Sequence, residues 1–356
     1  MLFCGKRWHG ILLFLMLILL GSVGQAVYGH DLNPSPRPLL PACYEADLRC
    51  SLPVTSEGTA GLLPAPVSTP TASTPTTNKI HDGKWLQLMP DLLPPAQARA
   101  MRAEPRYNIP CVDGFADIYP CNQVDLLAHL PYEMIGGKAN NDSWGWRDPL
   151  DGREYALIGA RDGVIILDIT TPDAPFYLGK LPTHSTSSSW RDLKVYQDHL
   201  FVVADYNPAH GMQIFDLRTL RGLQRASAPL VLHESAHYAG FEDAHNLAIN
   251  EESGFAYIVG SNTCDGGLHM VDIRTPMAPV AVGCYAGDGY IHDTTCVNYV
   301  GPDARYQGRE LCFNASVTEF TIVDVTDKAK PTRIATYSGP GNAYIHQGWL
   351  TADQRY

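Results

Sequence analysis

The sequence lacks two of the short motifs that most often disclose an enzyme: it has no Gly-x-Ser-x-Gly elbow and no phosphate-cradling glycine loop. Those absences remove the sequence-readable sites for acyl transfer and nucleotide phosphate binding. Cys-x-x-Cys spacing is also missing, which argues against a thiolate zinc site or a thioredoxin-like redox pair. Positive charge is scarce, with 26 Lys+Arg against 37 Asp+Glu and a net charge of −11. Nucleic acid and acidic membrane surfaces both need a basic face, so neither is an expected partner. The apolar run Ile11–Leu20 is ten residues, half of the roughly 20 that a bilayer span requires.

What the sequence does hold is a phrase that returns four times: an apolar run, an Asp, an apolar residue, then a polar turn. The copies are Val164–Ile169, Gln213–Leu217, His269–Ile273 and Thr321–Val325, and their aspartates, Asp168, Asp216, Asp272 and Asp324, are 48, 56 and 52 residues apart. Before each lies a second apolar run (Tyr155–Gly159, Leu200–Ala204, Phe255–Gly260, Glu310–Asn314), and the intervening turn usually contains Gly. Two such runs around a short turn predict a β-hairpin. Pro-rich turns follow, as in Thr171–Pro175 and Thr275–Pro279, where proline marks the gap between strands because it cannot donate to a ladder. A further strand opens each unit, starting at Trp190, Ala244, Ile291 and Ile345. Four short strands per unit of about 50 residues predict an all-β fold, a β-propeller of four-stranded blades with at least four blades present. Each repeated Asp is expected to cap its following turn.

The segments Trp144–Trp146, Gly152–Ala156, Gly267–Asp272, Phe320–Val325 and His346–Leu350 give the repeats a more specific look. Together with the lead-in Pro110–Gly114 to Tyr119–Cys121, they resemble the choice-of-anchor B family and its LVIVD repeats over about residues 108 to 356. The resemblance implies a secreted or surface-anchored bacterial β-propeller and leaves the anchor type open. The pattern stops just after the opening strand of a fifth unit, so closing strands of the ring are expected beyond Tyr356. The alternative is a four-bladed ring closed by residues 122–135.

The predicted organisation is a signal peptide over 1–26, a Pro/Ser/Thr-rich disordered linker over 27–78, a short helical or irregular lead-in over 79–110 with a helix near 95–101, and the repeat domain over 111–356. Lys6 and Arg7, the apolar run and Gly24-Gln25-Ala26 carry the first assignment. Eight of the nine cysteines follow the signal segment, and an even number there favours disulfides. Cys43–Cys50 and Cys111–Cys121 are the close pairs. Cys296 and Cys312 fall on neighbouring strands of one blade, and Cys264–Cys284 completes the set, although eight cysteines allow on the order of 100 connectivities.

The strongest candidate site is the start of the first strand of each unit. Arg191, His245, His292 and His346 recur there at intervals of 54, 47 and 54, each followed by a polar residue: Asp192, Asn246, Asp293 and Gln347. First strands line a propeller's channel, so these residues should converge at its mouth. One role is structural, bonding backbone between blades, since buried polar groups need partners. The other is to bind a divalent metal or another ligand, with Glu242 and Asp243 as further donors. No cofactor other than such an ion is implied. Trp144, Trp146, Trp190 and Trp349 are read as lying at first-strand starts and are expected to pack between blades, and His269 is expected to pack within one. Two functions remain: a secreted or cell-surface binding scaffold for an extracellular protein or glycan, and a metal-dependent extracellular hydrolase or lyase. In both, contact with a membrane comes only through a signal or anchor segment.

Overall fold

The computed structural model describes residues 2–5, 14–17 and 103–356, apart from 138, 318 and 340–343. The predicted linker, the helix near 95–101, the Cys43–Cys50 pair and most of the predicted signal segment lie outside them. Of that segment, Leu2–Gly5 and Phe14–Leu17 form two antiparallel strands of a sheet completed by Asp125–His129 and Arg106–Ile109. Among the described residues no helix is long and apolar enough to cross a membrane.

Four antiparallel sheets follow in chain order, each with the four-stranded meander of a propeller blade, and blade is the name used for them. The first comprises Asn140–Arg147, Glu154–Ala160, Gly163–Asp168 and Phe176–Pro182; the second Arg191–Tyr196, His199–Ala204, Met212–Asp216 and Ala236–Tyr238. The third comprises Asn246–Asn250, Phe255–Val259, Leu268–Asp272 and Val280–Tyr285; the fourth Asp293–Asn298, Glu310–Ser316, Glu319–Asp324 and Thr332–Tyr337. The first strand of each blade lies against the first strand of the next.

The predicted hairpins are the middle strands of these blades. Covered by a neighbouring blade on each face, they read as unbroken apolar runs rather than alternating ones. Glu154–Ala160 is buried in all but its first residue, and Gly163–Asp168 throughout. Apolar side chains meet at blade interfaces: Trp146, Leu157 and Ile166 pack with Leu193, Val202 and Phe215 between blades one and two. Phe201 and Ile214 pack with Leu247 and Ile258 between two and three, and Tyr257 and Met270 with Cys312 and Val323 between three and four. On the other side of blade one, Ala128 and Leu130 of the N-terminal sheet pack with Ile158 and Ile165. Each repeated Asp caps its turn as expected: the side chains of Asp168, Asp216, Asp272 and Asp324 accept the N–H two residues on, each at 3.0 Å.

Three features depart from the expected pattern. Blade one carries a fifth strand, Leu230–Val231, paired parallel to Phe176–Pro182; it comes from the loop before the last strand of blade two and covers an otherwise open edge. The predicted opening strand of a fifth unit is a single bridge between Ile345 and Val317, because among the described residues it has no second strand to complete a hairpin. Trp144 and Trp146 sit well inside the first strand of blade one rather than at its start. No ladder among the described strands joins blade four to the N-terminal sheet.

Three of the four expected disulfides are present: Cys111–Cys121, Cys264–Cys284 and Cys296–Cys312. Cys296 and Cys312 are directly opposite each other on the first two strands of blade four, so the expectation of a cross-strand bridge holds.

Candidate functional site

Strand register shows which positions are equivalent from blade to blade. Ser143, Leu193, Leu247 and Thr294 each oppose the same level of their hairpins. One residue earlier, the level holds Asp142, Asp192, Asn246 and Asp293; one earlier again, Asn141, Arg191, His245 and His292. The blade-one members were not recognised in the sequence, although Asn141 stands 27 residues before Asp168 as His245 stands 27 before Asp272.

Most of these side chains bond the next blade. Asn141 donates to the Arg191 carbonyl at 2.8 Å and accepts the Arg191 N–H at 3.1 Å. Asp142 accepts from the Leu193 N–H at 3.0 Å and Asp192 from the Leu247 N–H at 2.6 Å. Asn246 donates to the His292 carbonyl at 2.9 Å. These contacts fill the structural role foreseen for the level. Lys194, missed in the sequence because it follows the motif, pairs with Asp192 and lies 4.7 Å over the Trp144 ring. Burial opposes its charge, but Asp192 and Asp142 outweigh burial and raise its pKa. Three carboxylates share this one ammonium. Asp142 is therefore held well above the ordinary carboxylate range, by burial first and Asp192 second, and the same two causes push Asp293 up to about 6.

Arg191 does not join a ligand group at the mouth. It is 1% exposed and donates to the Ala160 carbonyl at 2.7 Å and to His210 Nε2 at 3.0 Å. Burial lowers it to about 10, and its donors serve to tie blade two to blade one. Asp192 is likewise taken up, by two backbone N–H groups and Lys194.

His245, His292 and His346 do gather at one end of the first strands. His245 Nδ1 donates to Asp205 at 2.7 Å, and its Nε2 faces His292 Nε2 at 2.8 Å. His292 Nδ1 donates to the His346 carbonyl at 2.7 Å, and the His346 ring lies 4.3 Å from that of His292. Burial first, then His245 and His346, bring His292 down to about 4. Asp205 is the residue that sequence reading missed; it follows the second strand of blade two, outside the repeated level. Blade three has Ser261 at the equivalent position and blade four has Val317; Gly260, one residue before Ser261, has φ +62°, and a Cβ there would collide with His245 and Tyr290. Tyr344 stands edge-on to His292, at 5.4 Å between ring centres. Burial raises it to about 12, with smaller effects from Tyr206 and Asp205. Trp190 lies 6.1 Å from His245. Among the described residues no group of three or more His, Cys, Asp or Glu side chains is arranged to hold a metal ion.

Elsewhere, Trp146 is buried, with Nε1 donating to Asp198 at 3.0 Å across the blade interface. Trp349 is 82% exposed and does not pack between blades. His269 is buried as expected, but it bridges two blades instead of packing within one, bonding Thr263 of its own blade and Tyr238 of blade two.

The sequence matches no protein-family model and no curated protein. Solved structures similar to it include hydrazine synthase of Kuenenia stuttgartiensis, at 13% identity over 58% of this chain and 51% of that one, with a TM-score of 0.35. The β-propeller domain of Cps50 (Swd1) from Myceliophteria thermophila matches at 13% identity over 56% of each chain, TM-score 0.34. An auxiliary nutrient binding protein of Bacteroides ovatus matches at 12% identity over 64% of this chain and 52% of that one, TM-score 0.36. The chain thus spans about half the length of each.

Proposed function

We propose that the protein is a secreted or cell-surface scaffold of the bacterial envelope that captures an extracellular protein or glycan at the mouth of its channel. The observation that carries this reading is the division of labour among the inner residues. The level running from Asn141-Asp142 to Asn246 is consumed by bonds between blades, whereas Tyr206 and Tyr344, 44% and 40% exposed, stand open around Asp205 and the histidines. Aromatic faces beside polar groups suit sugar rings and peptide side chains. Three disulfides fit an oxidising compartment. The choice-of-anchor B resemblance points the same way.

The second reading, a metal-dependent hydrolase or lyase, draws on the facing nitrogens of His245 and His292. One experiment separates the two. Full-length protein is passed over glycan and extracellular-peptide arrays and assayed on ester, phosphate and lactone substrates. Capture that falls at least tenfold in Tyr206→Ala/Tyr344→Ala, with no turnover, supports the scaffold. Turnover that disappears in His292→Ala replaces it with the enzyme.

A further inference from the structure

The protons of the two histidines are fixed by their outer partners. A carbonyl can only accept, so His292 Nδ1 carries a hydrogen toward the His346 oxygen. A carboxylate accepts too, so His245 Nδ1 carries one toward Asp205. In the neutral rings both Nε2 atoms are then left with bare lone pairs, and these face each other at 2.8 Å. Two lone pairs at that distance repel, so the geometry calls for a cation shared by both.

We propose that His245 and His292 chelate one divalent transition-metal ion through their Nε2 atoms. The outer contacts have the form that supports metal-bound imidazoles, a carboxylate on one Nδ1 and a backbone carbonyl on the other, each fixing tautomer and ring orientation. A straight N–H···N bridge would hold the ring centres about 5 Å apart. They are 4.3 Å apart, so the lone pairs are inclined rather than head-on. With metal–nitrogen bonds of about 2.0–2.1 Å, a 2.8 Å span subtends roughly a right angle. Adjacent ligands of a tetragonal ion have that angle, which favours copper(II) over tetrahedral zinc. The protein supplies two nitrogens, and water or a ligand donor completes the shell. Asp205 is a positioning residue: it holds His245 without reaching the ion.

The inference shares the mouth with the scaffold reading but not the occupant, so either stands if the other fails. The test titrates metal-stripped, full-length protein with copper(II) chloride and records electron paramagnetic resonance. The expected result is one equivalent with a two-nitrogen hyperfine pattern, absent in His245→Ala/His292→Ala and bound about 10–100-fold more weakly in Asp205→Asn at unchanged melting temperature. The pattern is read on the unaltered protein, so a variant that fails to fold does not rescue the proposal. No such pattern, or uptake unchanged in the double variant, overturns it. A nitrogen-15 spectrum showing one proton shared by the two imidazoles at neutral pH, with no copper bound, assigns the gap to that proton and also overturns it.

Discussion

Glu310 illustrates how much a single buried charge depends on its surroundings. One of its oxygens accepts from Asn250, Ser253 and Tyr257, each at 2.6 Å, and the other from Lys328 at 2.6 Å. Burial works to raise its pKa, but Lys328 and the hydroxyls outweigh burial and hold it below the ordinary glutamate value. A carboxylate with a depressed folded pKa adds stability above its unfolded pKa and loses it as pH falls through the folded one. Glu310→Gln should therefore cost about 3 kcal/mol at pH 7, because it leaves Lys328 buried and unpaired. The deficit should begin to shrink once pH falls below the ordinary glutamate value of about 4.3, where the unfolded chain takes up its proton first, and should close as the native carboxylate is titrated in turn. Urea unfolding of both proteins at pH 7 and pH 3.5 measures this; an equal deficit at the two pH values would contradict it. None of this was visible in the sequence, where Glu310 merely begins an apolar run. Its partners come from a neighbouring blade and from Lys328, eighteen residues on. Asp168 and its repeats were legible because their partner is a backbone group two residues away, a local bond that needs no tertiary contact.

At the level of the element, the hairpins were legible because their burial on both faces leaves an apolar run that a Gly turn interrupts. Inner strands were harder to place. Their polar side chains bond backbone groups of the next blade, so polar residues interrupt the apolar run. In blade one the strand is eight residues long with its tryptophans inside it, which hid Asn141 and Asp142. Outer strands carry little pattern: Thr332–Tyr337 is exposed at almost every position, since nothing covers it. The inner hairpin of blade four has a covalent tie at Cys296–Cys312. It closes a loop of 16 residues, which in the chain-entropy account adds about 3 kcal/mol. Cys296→Ser/Cys312→Ser should lower the melting temperature accordingly, and non-reducing peptide mapping of the native protein should recover the two cysteines in one linked fragment. Recovery of either as a free thiol would rule the bridge out.

For the whole molecule, the four blades form a row in which apolar packing joins each blade to the next. Energetic effects should be as local as the contacts. Asn141→Ala and Asn246→Ala act at different interfaces, the first between blades one and two and the second between three and four. Each should cost about 1–3 kcal/mol through unsatisfied backbone groups, and together they should add within about 0.5 kcal/mol. Asn141→Ala with Asp142→Ala acts at one interface and should depart from additivity. Denaturant midpoints of the three single and two double variants give both comparisons; additivity in the second pair or coupling in the first would contradict the row. The repeat of four-stranded sheets could be read from the period of the aspartates. Asp205 could not be placed beside the histidines, because its counterparts in blades three and four are Ser261 and Val317, and no repeated signal marks it.

The bonds from Asn141, Asp142, Asp192 and Asn246 all run one way, from a blade to the one made after it. Each finished blade thus presents ready side-chain partners for a strand still to come. A chain emerging from its N-terminal end meets its template before it needs it, so assembly can keep pace with synthesis, and a permuted chain that begins within blade three would have to wait for its guide.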